Sequence, residues 1–395
     1  VVKNRLFFGY ALFLSLVCFW SLVCQVASAQ NISNKGKDFW LGYGNHQRGY
    51  NLNNQEMVLY ITSDVNTKGK IEIPGLNYSS DFTVTANSIS QVMVPKEAYL
   101  DGEGLYKSGI HVTAEKSVVI YAHIYDRNVS GATLVLPTNV LGKEYYSLNY
   151  KQVSNQDTSF SYFFVVAIED STEVQITPSA FTHTGHQQGV PFTVKLNKGE
   201  IYQVLGESLG SERIDLGGGR FARNYKGADL TGSIIRSVST TAQQCKKIAV
   251  FSGSGKIGIG CESDGIGSSD NLFQQVYPTT AWGKKTITVP LASRNYDVIR
   301  IVKSSPAAVV KLNGNVVTFS HSLYYEFPSQ QVNVIESDLP VQVVQYAVTQ
   351  GKGINCSSYS ENAGDPEMIF LNPVEQNIDR ITVYSYHPAF YKCGY

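Results

Sequence analysis

The chain has 395 residues, 43% of them hydrophobic and only 16% charged, and its 32 basic and 32 acidic side chains leave a formal net charge of zero. Such a length predicts roughly two to four domains, and the neutral balance excludes both a nucleic-acid footprint and a polybasic membrane patch. Any partner must be held by shape, hydrogen bonds and aromatic contact, and 25 Tyr, 18 Phe and 34 Gly lean towards β-structure with many turns.

The N-terminus reads as a targeting segment over residues 1–29. Lys3 and Arg5 precede the apolar run Leu6 to Val23, and Ala27-Ser28-Ala29 offers small residues for cleavage. An uncleaved anchor is the alternative. The chain is therefore expected outside the cell, secreted or at the cell surface. Beyond the signal segment lie Cys245, Cys261, Cys356 and Cys393. An even count in an exported chain favours disulfides. Cys245 with Cys261 is the preferred pair, because these two bracket the strand and turn Ile248 to Gly260. None of the four stands at zinc-ligand spacing.

From Gly36-Lys37-Asp38-Phe39-Trp40 onward, short β-branched runs follow one another, broken by Gly, Asn, Asp or Ser. Met57 to Ile61, Lys70 to Ile73, Phe82 to Val84, Gln91 to Val94, Gly109 to Val112 and Val118 to Tyr121 are the first set. Phe163 to Ala167, Glu173 to Ile176, Phe192 to Leu196, Tyr202 to Leu205, Gly232 to Ile235 and Ile248 to Phe251 repeat the order. Ile299 to Val302, Val309 to Leu312, Val316 to Phe319, Tyr324 to Phe327, Val332 to Val334 and Val341 to Val344 repeat it again. Most runs alternate with period two, and no stretch keeps a capped 3.6-residue pattern. The expected fold class is all-β, a tandem array of about three antiparallel β-sandwich-like units.

A recurring sentence marks the joints. Ala132 to Pro137 leads to Leu141-Gly142-Lys143, Asp270 to Pro278 leads to Trp282-Gly283-Lys284, and Asp365 to Pro373 leads more loosely to Asp379 to Val383, at intervals of roughly 95 to 140 residues. The expected division is 30–150, 151–291 and 292–395, with the last unit truncated. Trp282 sits in this motif opposite Leu141, so packing at a joint is the economical reading. The second unit carries two insertions, Gly206 to Asp229 and the Gly/Ser-rich Gly253 to Ser269, expected as displayed loops.

Catalytic signals are sparse. Gly253-Ser254-Gly255-Lys256 lacks the glycine spacing, the Ser/Thr and the helix of a phosphate loop. His183 and His186 lie in a polar turn without carboxylates, and no Gly-x-Ser-x-Gly elbow occurs. Asp270 and Asp365 begin equivalent strands, where capping a turn accounts for them; Glu262 and Asp264 offer only a guess at a calcium loop. No enzyme, metal or cofactor is expected. Ligand-binding candidates are Arg213, Arg220 and Arg223 in the first insertion and the aromatics Tyr43 and Tyr50; Trp40, Tyr145 and Tyr146 are further aromatic handles.

The run Ala132 to Tyr146, the pair Leu230 to Ile234 with Ile248 to Gly253, the stretch Asp270 to Pro290 and the opening Gly36 to Trp40 resemble the N-terminal domain family of IgGFc-binding protein. The likeness spans roughly Lys35 to Tyr395. That family also occurs in large exported bacterial proteins, particularly from Bacteroidetes. The resemblance implies a secreted or surface-displayed binding and adhesion module with no catalytic residues. It points to an extracellular protein such as immunoglobulin or mucin, or to a glycan, as partner; Fc binding itself does not follow, because a shared fold does not fix a ligand. A structural spacer lifting a further C-terminal domain off the cell, or a carbohydrate-binding or carbohydrate-active sandwich, are the alternatives.

Overall fold

A computed structural model describes residues 33–47, 54–239, 245–260, 268–292, 294–319, 323–351, 353–357, 360 and 364–376. Among them are 26 strands and six short 3-10 turns, with no α-helix. Every strand pairing is antiparallel, as the short alternating runs require. The fold is all-β, and no helix among the described residues is long and apolar enough to cross a membrane.

The first set of strands is β1 (Gly36–Leu41), β2 (Glu56–Ser63), β3 (Thr67–Ile73), β4 (Tyr78–Val84), β5 (Ser88–Val94), β6 (Gly104–Tyr106), β7 (Ile110–Asp126) and β8 (Val129–Val135). The second is β9 (Glu144–Tyr146), β10 (Gln152–Ser154), β11 (Ser161–Ala167), β12 (Thr172–Thr177), β13 (Phe192–Leu196), β14 (Ile201–Leu205), β15 (Ser208–Gly217), β16 (Arg220–Gly227), β17 (Ile234–Val238), β18 (Ile248–Ile257) and β19 (Asp270–Gln275). The third is β20 (Gly283–Thr288), β21 (Asp297–Lys303), β22 (Val310–Leu312), β23 (Asn315–Val316), β24 (Tyr324–Ser329), β25 (Asn333–Ala347) and β26 (Glu367–Leu371).

The pairings of the three sets superimpose. The first half of β7 pairs with β1 and β3, and its second half crosses to pair with β2 and β8. β25 does the same with β20 and β22, then with β21 and β26. In the middle set the crossing strand is cut in two: β17 pairs with β9 and β12, and β18 pairs with β11 and β19. We propose to divide the chain accordingly, before Glu144 and before Gly283. The boundaries expected from sequence, after 150 and 291, fall beyond β9 and β20, which pair with β17 and β25.

The joint motif has a steric basis. An ideal Cβ on Gly36 would stand 2.2 Å from Cβ of Pro137, one on Gly142 2.3 Å from Cβ of Pro278, and one on Gly283 2.2 Å from Cβ of Pro373. In each unit the proline just beyond the last strand lies on a glycine in or just before the first strand. No side chain fits between them, so glycine is needed there for close approach rather than for turning. A 3-10 turn follows each proline, at Thr138–Val140, Thr279–Ala281 and Val374–Gln376.

From Asn34 onward the chain forms one compact unit, because the sandwiches share walls. Strand β11 is buried along its whole length. Its period-two alternation sends Tyr162, Phe164 and Val166 into a core shared with the first set, and Phe163, Val165 and Ala167 into a core shared with the third. β18 divides Ala249 and Phe251 from Ile248 and Val250 in the same way. A sheet covered on both faces reads as a continuous apolar run, as these strands do. Trp282 is 6% exposed in the second of these cores, its ring 5.4 Å from that of Tyr146. Trp40 is buried too, stacked on His111.

The structure differs from two expectations of the sequence. The stretch from Gly253 to Ile257 is not a displayed loop but the buried end of β18, paired with β11 and β19. Cys245 carries a free thiol, so the preferred bridge to Cys261 is not made. The reason is topological: Cys245 lies between β17 and β18, which belong to different sheets, and not at the end of one hairpin that a bridge would close. Cys356 is disulfide-bonded; Cys261 and Cys393 lie outside the described residues, as do the targeting segment, Tyr50, Glu262, Asp264 and Asp379 to Val383.

Candidate functional site: a projecting hairpin and the cavity at its foot

The insertion between Gly206 and Asp229 is a hairpin, not a loop. β15 and β16 pair from Ser208↔Gly227 to Gly217↔Arg220, and β10 adds a third strand at the foot through Gln152–Ser154. The tip is built from Gly217, Gly218 and Gly219 at φ 78°, 64° and 76°, the left-handed region where a side chain is strained. Below it, solvent reaches nearly every residue of β15 and the outer half of β16. Leu209, Leu216 and Phe221 are 60%, 47% and 48% exposed.

All three candidate arginines lie on this hairpin and are exposed. Arg213 and Arg223 are direct cross-strand partners and so project from the same face. The Arg213 guanidinium lies 3.4 Å from the centroid of the Phe221 ring, and Arg223 Nη1 donates to Ser211 Oγ at 3.0 Å. Among the described residues neither has a carboxylate partner. Asp215, the acid on their face, accepts from Gly217 N at 2.8 Å and serves the tip. On the other face Lys226 pairs with Glu212 at 2.9 Å. Tyr43, by contrast, cannot contact a ligand. It is 0% exposed in the first core and donates to Val58 O at 2.9 Å, and burial raises its hydroxyl pKa well above the usual phenol value.

At the foot of the hairpin lies a cavity of about 300 Å³ lined by Ser179, Phe181, Gln188, Glu207, Leu209 and Tyr324, among others. Glu207 N donates to Phe181 O at 3.0 Å and Ala228 N to Glu207 O at 2.8 Å, which closes the base. The returning limb is then pinned by Asp229, which accepts from Thr231 N at 2.9 Å and from Arg300 Nη1 at 2.7 Å.

Arg300 is the residue that reading the sequence for chemistry passed over. It occupies β21 between Val298 and Val302, whose side chains enter the core shared with the middle set, while Ile299 and Ile301 enter the third set's own core. An arginine thus stands at a core-facing position, 2% exposed. Its Nη1 also donates to Asn149 O at 2.9 Å and Thr231 Oγ1 at 2.8 Å, its Nε donates to Glu326, and the rings of Tyr150 and Tyr324 lie 4.3 and 4.2 Å away. Burial works to lower its pKa, but the charge of Asp229, then Tyr346 and Glu326, holds it well above the ordinary value. Burial beside this cluster pushes the Tyr324 hydroxyl up to about 12. The signal in the sequence was one charge inside the apolar run Val298 to Val302.

The remaining polar candidates serve the framework. His183 packs on Phe160 at 4.8 Å and His186 stacks on Phe192 at 3.7 Å. Asp270 accepts from Asn271 N at 2.9 Å and from Ser130 N, joining β19 to β8; Asp365 accepts from Ser268 Oγ. Burial above all, with Asp365 and Glu367 adding to it, pushes the Asp270 carboxyl up to about 8 despite those two N–H donors. Among the described residues no group of three or more His, Cys, Asp and Glu is placed to hold a metal ion.

The described residues thus form an array of antiparallel β-sandwiches with shared walls and one hairpin held clear of the cores. The family model described as IgGFc binding protein matches residues 131–392, more than half of the chain, and the chain belongs to that family. It is similar to the human (Homo sapiens) IgGFc-binding protein, with 23% identity over 306 residues that cover 77% of this chain and 5% of that protein. The chain thus spans a small fraction of that relative's length. No solved structure matches. The hairpin, the cavity and Arg300 all lie inside the matched stretch.

Proposed function

We propose that this chain is a non-enzymatic binding and adhesion protein that works outside the cell, recognising an extracellular protein or glycan with the β15–β16 hairpin. The observation that carries the reading is the hairpin itself: three exposed arginines and three exposed large apolar side chains on an element that contributes to no core. Exposed apolar groups beside unpaired charge are a poor way to build a framework and a good way to build a contact surface. Membership in a family described by its binding of the Fc part of IgG supports the same class of function. The walls shared between sandwiches support a stiff mount for the hairpin.

The test is binding of the chain to arrays of host proteins, including immunoglobulin G and mucin, and of glycans. The comparison is with a variant in which an Asn-Gly turn replaces Ser208–Gly227. Because Ala228 N already donates to Glu207 O, two residues suffice to close that gap as a hairpin turn. Specific binding that disappears in the variant, while the rest of the chain still unfolds cooperatively, is the expected result. Binding that persists undiminished moves the site elsewhere, and silence on both arrays favours the spacer reading.

A further inference from the structure

We propose that the outer edge of β15 takes an extended acidic segment of a protein partner as an added strand, its carboxylates pairing with Arg213 and Arg223. This deepens the binding reading above and rests on it.

Three observations lead there. First, the sheet order β10-β16-β15 leaves β15 at an edge, and no other strand among the described residues pairs with it. Ten residues of edge strand present a row of N–H and C=O groups that a second chain can complete. Second, the edge is only partly guarded: Glu212, Arg213 and Asp215 put charge on it, but its middle keeps an open ladder. Ser208–Gly217 contains no proline, its register breaks fall at the foot and the tip, and the stretch from Ser211 to Asp215 runs in unbroken register between them. Third, Arg213 and Arg223 stand directly opposite each other, an arrangement of like charges that destabilises a hairpin. Neither is neutralised by a carboxylate of the described chain. A partner strand bearing acids on alternate residues would lie alongside Arg213 and remove that repulsion, while Phe221 and Leu216 supply apolar contact at its end. Opposite charge selects the occupant, and period two selects its conformation.

The probes are two ten-residue peptides, one alternating Thr and Glu and one alternating Thr and Lys, measured against the whole chain. The Glu peptide is expected to bind and the Lys peptide not, with affinity falling as salt is raised. Two further Glu peptides carry backbone N-methyl groups, on every Glu in one and on every Thr in the other. Strand addition uses only alternate amides, so one methylated peptide should bind about tenfold or more weakly and the other nearly normally. The double variant Arg213→Glu/Arg223→Glu should reverse the preference towards the Lys peptide, which a merely unfolded hairpin cannot do.

Equal binding of the two methylated peptides overturns the proposal, and so does a double variant that still prefers Glu. A sulfated oligosaccharide that binds the arginines where no peptide does also overturns it, in favour of an anionic glycan. A protein ligand found on the arrays that is lost with the hairpin but indifferent to the double variant sinks the edge proposal and leaves the binding reading standing.

Discussion

Two arginine sites in this molecule are solved in opposite ways. Arg300 is buried and saturated: two carboxylates, a carbonyl, a hydroxyl and aromatic faces surround one guanidinium. Arg213 and Arg223 are exposed, opposed and, among the described residues, without carboxylate partners. A charge that the fold has paid to bury and pair is part of the framework, because removing one member strands the others. A charge left unpaired at the surface contributes little to stability and stays available to a partner. The contrast separates a structural arginine from a candidate recognition arginine more sharply than residue type or motif can.

The largest expected effect is at the buried site. Arg300→Met should destabilise by about 3–5 kcal/mol in urea unfolding, because the largely buried Asp229 loses its charged partner. The triple variant Arg300→Met/Asp229→Asn/Glu326→Gln should recover most of that loss. A single variant as stable as the parent would show that Arg300 is not part of the framework. Next comes the joint: Gly142→Val places its side chain into Pro278 and should cost about 1–3 kcal/mol or more, read from the same unfolding curves. Tyr346→Phe removes the bond from its hydroxyl to Asn149 O, 2.6 Å long, and should cost about 1 kcal/mol.

At the exposed site the expectation inverts. Arg213→Ala/Arg223→Ala should leave stability within about 0.5 kcal/mol of the parent while abolishing the hairpin's binding. A large loss of stability would erase the distinction between the two sites.

A carboxyl sharpens the same rule through pH. Asp270, pushed up to about 8, keeps its proton in the folded state over a range where the unfolded chain has released it, so stability falls as pH rises from about 4 to 8. Glu367, pushed up to about 7 by burial, acts in the same direction. His46 and His123, held near 4 by burial, act oppositely, losing stability as pH falls from about 6.5 to 4. Above pH 6.5 the carboxyls dominate, and there Asp270→Asn should flatten the decline in unfolding free energy without removing it. An unchanged slope would show that Asp270 is not held protonated.

Much of this was legible in advance. Alternating runs such as Glu173 to Ile176 needed only their own period to be read as strands. Arg213, Arg220 and Arg223 were visible as an exposed cluster because a Gly-rich insertion declares itself by composition. What was misread depends on partners distant in the chain. Tyr43 looks like any surface aromatic until the first core closes over it, and Gly253 to Ile257 looks like a flexible loop until β11 and β19 take its backbone on both sides.

The sequence by itself determined the all-β class, because period-two burial and turn chemistry act between residues near one another in the chain. Tertiary structure alone decided that β11 and β18 are walls shared by two cores and that Arg300 meets Asp229 across 71 residues. It also decided that Cys245 stays free and that β15 keeps an open edge. Each of these is a question of which distant surfaces come together to exclude water, and no local pattern encodes the answer.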